Sequence, residues 1–291
     1  MNVVAVAVTG LWRSPASPVA RDAPLLLDEP RLGEWLTAQG PAERRTLWGR
    51  LDSQLLLGEP VVVEEELGEW CRVRAPWQPY RDEPGGYPGY VRTAHLAPLV
   101  PDVLPRVVVT VPATVIRSGD EVLVDEVGYA TILPTFGITG GRATVRLPDG
   151  RTGWVPAADI APHRFGDRPP SPARLLGDAE QFLGVMYLAA GLHGRCYDCS
   201  GLVHAVFRRY GLRIPRDARD MDRLGAGLPV ADARPGDLLL FTRPDTGVIY
   251  HVALALDLPR AVHVSEPDWA CVDTPLSAIR QADLTHARRV S

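Results

Sequence analysis

The chain has 291 residues, and 46% of them are hydrophobic and 23% charged, which is typical of a globular protein long enough for two or three domains. Its formal net charge is −4, so the sequence offers no basic face and argues against a nucleic-acid partner. No stretch approaches the roughly 18 apolar residues of a membrane span, which argues against a membrane partner.

The first residues, MNVVAVAVTGLW, predict a β-strand rather than a signal peptide. A secretory signal needs a basic start, an apolar core and a small-residue cleavage site, and this stretch lacks the basic start. We therefore expect a cytoplasmic protein. The chain has only four cysteines, too few for a disulfide scaffold: Cys71, Cys196, Cys199 and Cys271.

Residues 1–104 predict a small all-β barrel with a helical insertion. The segment PRLGEWLTAQGPAERRTLWGRL has apolar residues at near-helical spacing. The segments PVVVEEE, GEWCRVRAP and GYPGYVR are valine-rich or alternating and are separated by Gly, Pro and Asp turns, as expected of short strands. Two prolines at 101–106 predict a linker.

Residues 105–162 predict a second small barrel. The segment GGRATVRLPDGRTGWVP alternates around Asp149-Gly150, a strong hairpin signal. The pattern strand, turn and Gly-(Tyr or Trp)-Val occurs at GYVRTAHLAPL and again at GWVPAADIAP. We interpret this as a weak internal repeat.

Residues 171–291 predict an α+β domain that follows a proline-rich linker at 161–172. The segment ARLLGDAEQFLGVMYLAAG predicts an amphipathic helix that ends at Gly191, and SGLVHAVFRRYG predicts a second helix that ends at Gly211. His204 on the second helix is expected to be partly exposed. Three strands follow, at DLLLF, YHVALAL and AVHVSE.

Cys199 lies at the start of the second predicted helix. Unpaired backbone N–H groups and the helix dipole at that position favour a thiolate. His251 and His263 lie on two short strands that a tight connection would make neighbours. This arrangement permits a Cys–His–His catalytic line in which His263 fixes the tautomer of His251.

Each of these residues could equally have a purely structural role. A lone cysteine is most often a small buried apolar side chain, and a histidine within a strand is usually a hydrogen-bonded core residue. Cys196 and Cys199 have redox-pair spacing, but the parallel βαβ unit of thioredoxin-like sites is missing. A zinc site would need a second close pair of ligands, which Cys71 and Cys271 do not form.

Several motifs in this order resemble the NlpC/p60 family of cell-wall cysteine peptidases: YLAAG, YDCSGLVHAVFRRYG, IPRDA, RPGDLLLF, HVALAL and AVHVS, over residues 184–265. The whole chain resembles the three-domain subgroup, in which two bacterial SH3-type barrels precede the peptidase. That subgroup implies a multi-domain fold with two N-terminal all-β barrels and a papain-like α+β domain in permuted order.

The resemblance implies a role for each matching residue. Cys199 matches the nucleophile, His251 the general base and His263 the residue that orients the base. The Cys199 N–H and the Tyr187 hydroxyl match the oxyanion site. The remaining matches contact the substrate, and the last three are expected to hold a free amino group: Asp198, Ser200, Asp217, Tyr87 and Asp52.

The sequence departs from the family pattern at three positions. The motif YxWGG has Ala189 and Ala190 in place of its tryptophan and first glycine, which puts the shape of the substrate site in doubt. Cys196 replaces a glycine that commonly precedes the DCSG segment. None of these changes affects the three catalytic positions, so we expect activity.

The resemblance implies hydrolysis of the γ-D-glutamyl–diamino acid bond in murein peptides that have a free N-terminal L-Ala. We expect a monomer that recycles murein peptides and needs no cofactor or metal. Two alternatives differ in class: an inactive murein-peptide-binding protein, and an amidase or acyltransferase that acts on another γ-glutamyl compound. Turnover of γ-D-Glu peptides, free and N-blocked, separates them.

Overall fold

The computed structural model describes residues 1–81, 83–166 and 169–290. Positions 82, 167, 168 and 291, in the first predicted barrel, the second linker and the C-terminal domain, lie outside the described residues. The chain divides into two compact units. The first unit consists of Met1–Pro79, Glu83–Arg164 and His193–Arg195, and the second of Tyr80–Asp82, Phe165–Leu192 and Cys196–Ser291. The three predicted domain boundaries, at 1–104, 105–162 and 171–291, stay a prediction.

The first unit contains a seven-stranded antiparallel sheet near the N-terminus, in the order β3-β2-β6-β5-β4-β1-β7. Its strands are β1 (Asn2–Val4), β2 (Val8–Trp12), β3 (Leu51–Leu56), β4 (Pro60–Leu67), β5 (Trp70–Ala75), β6 (Tyr87–Arg92) and β7 (Leu96–Pro98). The N-terminal segment is therefore extended, as predicted, but it bends between two strands instead of forming one.

A second seven-stranded sheet follows, in the order β10-β9-β13-β12-β11-β8-β14. Its strands are β8 (Arg106–Val109), β9 (Ala113–Ser118), β10 (Glu121–Gly128), β11 (Ile132–Thr139), β12 (Arg142–Arg146), β13 (Thr152–Pro156) and β14 (Ile160–His163). The predicted hairpin is confirmed, since Arg146 pairs with Thr152 across the turn and Gly150 has a φ of +87°. Alternate valines, leucines and isoleucines of this sheet form one buried cluster.

The two sheets have the same topology, because β8 to β14 take the positions of β1 to β7 one for one. In both, the sixth strand leads through a short 3-10 helix into the seventh, at Thr93–His95 and at Ala157–Asp159. The weak repeat in the sequence therefore corresponds to a repeat of the whole sheet.

Three short helices lie between β2 and β3: α1 (Ala23–Leu26), α2 (Leu32–Thr37) and α3 (Pro41–Arg45). The helical insertion is confirmed, but Gly40 and Pro41 divide it. Proline lacks the N–H that would continue α2 and disfavours a helical conformation in the residue before it.

Apart from His193 in β16, the second unit contains a nine-stranded sheet in the order β16-β17-β15-β22-β21-β20-β19-β23-β18. Its strands are β15 (Met186–Tyr187), β16 (Leu192–His193), β17 (Cys196–Tyr197), β18 (Ala226–Leu228), β19 (Leu238–Thr242), β20 (Ile249–Ala255), β21 (Ala261–Ser265), β22 (Ala270–Val272) and β23 (Leu284–Arg289). The three predicted strands are confirmed as β19, β20 and β21. Strands β20 and β21 are antiparallel neighbours, with Leu254 opposite Val262.

Three helices accompany this sheet: α4 (Pro172–Glu180), α5 (Cys199–Arg209) and α6 (Ala278–Asp283). The predicted end of the first helix at Gly191 is wrong, because α4 stops at Glu180 and Met186–Tyr187 forms a strand. The second helix is confirmed, and Gly211 follows it with a φ of +81°.

The expected partial exposure of His204 is also wrong. Residues Cys199–Arg208 of α5 are all buried, so the helix has no exposed face at this position. Nδ1 of His204 lies 2.9 Å from the carbonyl oxygen of Ile214. None of the helices in the described residues is long and apolar enough to cross a membrane.

Candidate active site

Cys199 is the first residue of α5, and the residue before it caps the helix. The Asp198 carboxylate accepts a hydrogen bond from the Gly201 N–H at 2.6 Å and another from the Ala190 N–H at 2.9 Å. An aspartate in this position satisfies N–H groups that have no partner within the helix. The backbone around the candidate nucleophile is therefore fixed by its neighbour.

Arg216 is the partner of Asp198 that the sequence analysis missed. Its guanidinium donates to both oxygens of the Asp198 carboxylate at 2.9 Å, and its side chain is only 1% exposed. It also donates to the hydroxyl of Ser200 at 3.0 Å and to the carbonyl of Gly191 at 3.1 Å. The two predicted substrate contacts that flank Cys199 are thus held in a buried ionic network.

The structure brings His251 and His263 together. Nε2 of His251 lies 2.8 Å from Nδ1 of His263, and both side chains are buried. If the Nε2–H of His251 donates to His263, then Nδ1 of His251 remains an acceptor that can take the proton of a thiol. The geometry therefore suits a base whose tautomer is fixed by a second histidine.

The thiolate expected from the helix start is not favoured in the free protein. Burial, and then the charge of Asp198, raise the pKa of Cys199 to about 11, although a backbone hydrogen bond from Val252 opposes them. Burial and the charge of Arg280 lower the pKa of His251 well below 6.5, and that of His263 to about 4. At neutral pH the neutral forms of all three groups are favoured, because burial disfavours the charged forms.

Tyr187 is buried close to Cys199, and burial raises the pKa of its phenol. The hydroxyl therefore stays protonated and can donate a hydrogen bond to a developing oxyanion. The indole of Trp269 packs edge to face against Tyr187 with 5.8 Å between ring centroids. Ala189 removes one aromatic side chain from the family motif, and Trp269 provides another beside the same tyrosine.

Ala190 lies in the left-handed region with a φ of +64°. Only glycine adopts this conformation without a steric penalty, which gives a physical reason for the glycine at this position of the motif. The conformation directs the Ala190 N–H at Asp198. The replacement of this glycine by Ala190 is therefore a source of backbone strain next to the helix cap.

Asp217 follows Arg216 and is half-buried in the same unit. Burial raises the pKa of its carboxyl group; the charge of Arg216 opposes this, while Asp198 and Asp220 reinforce it. Asp217 also forms an ion pair at 3.6 Å with the guanidinium of Arg219, which is exposed. A partly desolvated carboxylate is stabilised further by a cation that binds on its other side. The site can accept an ammonium group at this position.

The other two predicted substrate contacts belong to the first unit. Tyr87 is the first residue of β6 and is buried. Asp52 on β3 pairs with the exposed Arg13 at 2.6 Å. A contribution of either residue to the substrate site stays a prediction.

The cysteines are all free and buried. Within the described ranges, no group of three or more His, Cys, Asp or Glu side chains is arranged to hold a metal ion. The candidate catalytic side chains are a thiol, two imidazoles and a phenol.

Comparison with known proteins agrees with this geometry. The model of the NlpC/P60 family matches residues 184–289. A γ-D-glutamyl-L-lysine dipeptidyl-peptidase of Bacillus subtilis is 32% identical over 90% of this chain and 89% of its own length. The chain belongs to the NlpC/P60 family. It is a cysteine peptidase.

Two further comparisons match nearly the whole chain. A γ-D-glutamyl-L-lysine dipeptidyl-peptidase of Bacillus cereus is 29% identical over 94% of this chain and 85% of its own length. The crystal structure of a Bacillus cereus NlpC/P60 family protein superposes with a TM-score of 0.93 and 27% identity, covering 99% of both chains. The likeness therefore includes the N-terminal sheets as well as the NlpC/P60 segment.

Proposed function

We propose that the protein hydrolyses the γ-D-glutamyl–diamino acid bond of murein peptides that carry a free N-terminal L-Ala. The products are L-Ala-D-Glu and the remainder of the peptide, which begins with the diamino acid. A requirement for a free amino group suits released fragments rather than intact wall, so recycling of murein peptides is the proposed setting.

One observation carries this proposal. A cysteine at the start of α5, a histidine pair on adjoining strands and the half-buried carboxylate of Asp217 belong to one compact unit. The names of the two Bacillus relatives add γ-D-glutamyl-L-lysine as the first bond to test. The proposed substrate presents an electrophilic carbonyl for the thiol and an ammonium for the acid.

The proposed reaction is acyl transfer through a thioester. Nδ1 of His251 takes the Cys199 proton as the sulfur attacks the γ-carbonyl carbon of D-Glu, and the Cys199 N–H and the Tyr187 hydroxyl stabilise the oxyanion. The C–N bond then breaks as the imidazolium of His251 protonates the leaving amine. Water, deprotonated by His251, hydrolyses the thioester and releases the thiol.

The two seven-stranded sheets are the proposed SH3-type barrels, and the nine-stranded sheet with α4 to α6 is the proposed papain-like domain in permuted order. Their shared strand order supports the pairing of the first two. Helix α5 comes before the strands that carry the histidines, and this order supports the papain-like domain in permuted order.

Mass spectrometry of the products tests the function directly. The protein is incubated with L-Ala-γ-D-Glu-L-Lys and with its diaminopimelate analogue, and Cys199→Ala serves as the control. Release of L-Ala-D-Glu by the wild type and not by the variant is expected. Binding of these peptides without release by the wild type would instead favour the murein-peptide-binding alternative.

The specificity for a free amino group depends on Asp217. Asp217→Asn keeps the shape and removes the charge, and loss of one partner of a buried ion pair costs about 3–5 kcal/mol, or about 150- to 5,000-fold in kcat/KM. Acetylation of the L-Ala nitrogen is expected to cause a similar loss in the wild type and little further loss in the variant. Equal cleavage of free and acetylated peptides by the wild type contradicts the recycling proposal.

A further inference from the structure

Arg280 is a cation in the peptidase unit that the proposed reaction does not use. It lies on α6 and is half-buried. Its guanidinium carbon is 5.0 Å from the ring centroid of Tyr250 and 5.7 Å from that of Phe241. Phe241 pairs with His251 across β19 and β20, with 5.1 Å between their ring centroids. These contacts connect the guanidinium to His251 through the ring of Phe241.

Arg280 has a side-chain hydrogen bond with Tyr250, but one nitrogen of its guanidinium is left over. Nη1 of Arg280 is buried and has no hydrogen-bond partner among the residues that the structure describes. Asp283, one turn further along α6, accepts a hydrogen bond from the Tyr250 hydroxyl at 2.5 Å instead. A buried donor of a charged group without a partner is costly, so the site is suited to an anion that arrives with the substrate.

The guanidinium of Arg280 contacts the ring of Phe241, which in turn contacts His251, the proposed general base. The charge of Arg280 also lowers the pKa of both His251 and His263, which agrees with this contact. A general base that takes the thiol proton also protonates the departing amine, so the leaving group must contact His251. We therefore expect the leaving group to be the part of the substrate nearest to Arg280.

We propose that Arg280 binds a carboxylate of the leaving diamino acid. This inference rests on the proposed function. The guanidinium fork matches a carboxylate in geometry and charge. The diamino acid can present its α-carboxylate, which is free when that residue is C-terminal, or the distal carboxylate of diaminopimelate. Arg280 thus selects substrates by the charge of the residue on the far side of the scissile bond.

The test compares matched substrates that differ in one carboxylate. L-Ala-γ-D-Glu-L-Lys carries an α-carboxylate, its C-terminal amide carries none on the leaving residue, and the diaminopimelate α-amide carries only the distal one. A fourth peptide has the α-carboxylate of D-Glu amidated. The variants are Arg280→Gln, Arg280→Lys and the control Arg243→Gln, whose exposed guanidinium lies 4.7 Å from the same Tyr250 ring.

Arg280→Gln is expected to lower kcat/KM by about 10- to 100-fold for leaving groups with a carboxylate, and to leave the lysine amide within about twofold. Arg280→Lys keeps part of the preference, and Arg243→Gln keeps all of it. A loss on L-Ala-γ-D-Glu-L-Lys indicates that Arg280 binds the α-carboxylate of the leaving residue. A loss on the diaminopimelate α-amide indicates that it binds the distal carboxylate. An equal loss on all peptides, or a loss that vanishes only when the D-Glu carboxylate is amidated, overturns the proposal.

Alkylation of Cys199 decides the question without a peptide. Iodoacetate carries a carboxylate, and iodoacetamide is its neutral counterpart. If Arg280 recruits carboxylates to this site, the rate with iodoacetate divided by the rate with iodoacetamide falls several-fold in Arg280→Gln and not in Arg243→Gln. An unchanged ratio overturns the proposal even if every peptide is cut, whereas a failure of the wild type to cut any peptide contradicts only the proposed function.

Discussion

At the residue scale, the candidate nucleophile and base are controlled by burial. Cys199 is 9% exposed and His251 only 3% exposed, so either charge would be separated from water. The neutral thiol and imidazole are therefore the resting forms, and charge separation is deferred until the substrate is attacked. A helix start by itself would favour the opposite state.

This resting state predicts a distinctive pH profile for alkylation of Cys199. Because its pKa is raised to about 11, the rate with iodoacetamide is expected to be low at pH 5–7 and to rise to a midpoint near 11. Cys271 is an internal control, since burial raises its pKa to about 12. Peptide mapping after timed labelling measures both. A plateau of fast Cys199 labelling between pH 5 and 8 would indicate a preformed thiolate–imidazolium pair instead.

At the scale of the element, the position of α5 depends on a cap that is itself supported from a distance. Asp198 caps the helix, and Arg216 from the IPRDA segment forms two hydrogen bonds with its carboxylate. Because the arginine is 1% exposed, loss of either partner leaves a buried charge without compensation. The start of the helix and the site are thus stabilised by one ion pair.

Arg216→Gln is expected to lower the free energy of unfolding by about 3–5 kcal/mol, as for other broken buried pairs. The matched control is Arg31→Gln, because Arg31 forms an exposed pair with Glu34 and such pairs contribute at most about 1 kcal/mol. Chemical denaturation of both variants measures the difference. Similar losses in the two variants would mean that the buried pair contributes no more to the free energy of unfolding than an exposed pair does.

The turn before the helix contains an avoidable strain. Ala190 has a φ of +64°, where a β-carbon is disfavoured. We expect Ala190→Gly to raise the free energy of unfolding by about 0.5–1 kcal/mol, since relief of strain exceeds the added entropy of the unfolded chain. The control Ala205→Gly, in the interior of α5, is expected to lower it. A destabilised Ala190→Gly variant would contradict the assignment of strain.

At the scale of the whole molecule, five of the seven histidines have lowered pKa values because they are buried. The pKa is about 4 for His95, His193 and His263, about 3 for His204, and well below 6.5 for His251. Each group binds a proton more readily in the unfolded chain, where its pKa is near 6.5. Their contribution to stability is therefore full above pH 6.5 and is lost as the pH falls towards 4.

The melting temperature is accordingly expected to fall steeply between pH 6.5 and 4. Differential scanning calorimetry across this range measures the fall. His95→Gln removes one such group, so its melting temperature should vary less with pH than that of the wild type, whatever its absolute value. A flat profile for the wild type over this interval would show that the buried histidines bind protons as readily in the folded chain as in the unfolded chain.

Local patterns in the sequence determined the strands β19, β20 and β21, the helix α5 and the hairpin at Asp149-Gly150. These depend on side-chain periodicity and turn residues, which act over a few positions of the chain. The ordered motifs also determined the family, and the short repeated segment anticipated the repeat of a whole sheet. The predicted end of the helix α4 is wrong, because the apolar residues of its buried side are followed by the apolar residues of a strand.

Tertiary structure alone decided the interactions between distant segments. The bidentate pair of Arg216 with Asp198, the indole of Trp269 beside Tyr187 and the guanidinium of Arg280 near the histidines all join separate elements. Tertiary packing also reversed the expected ionisation of Cys199 and buried His204. The physical reason is that desolvation depends on everything packed around a group, whereas a motif specifies only its neighbours along the chain.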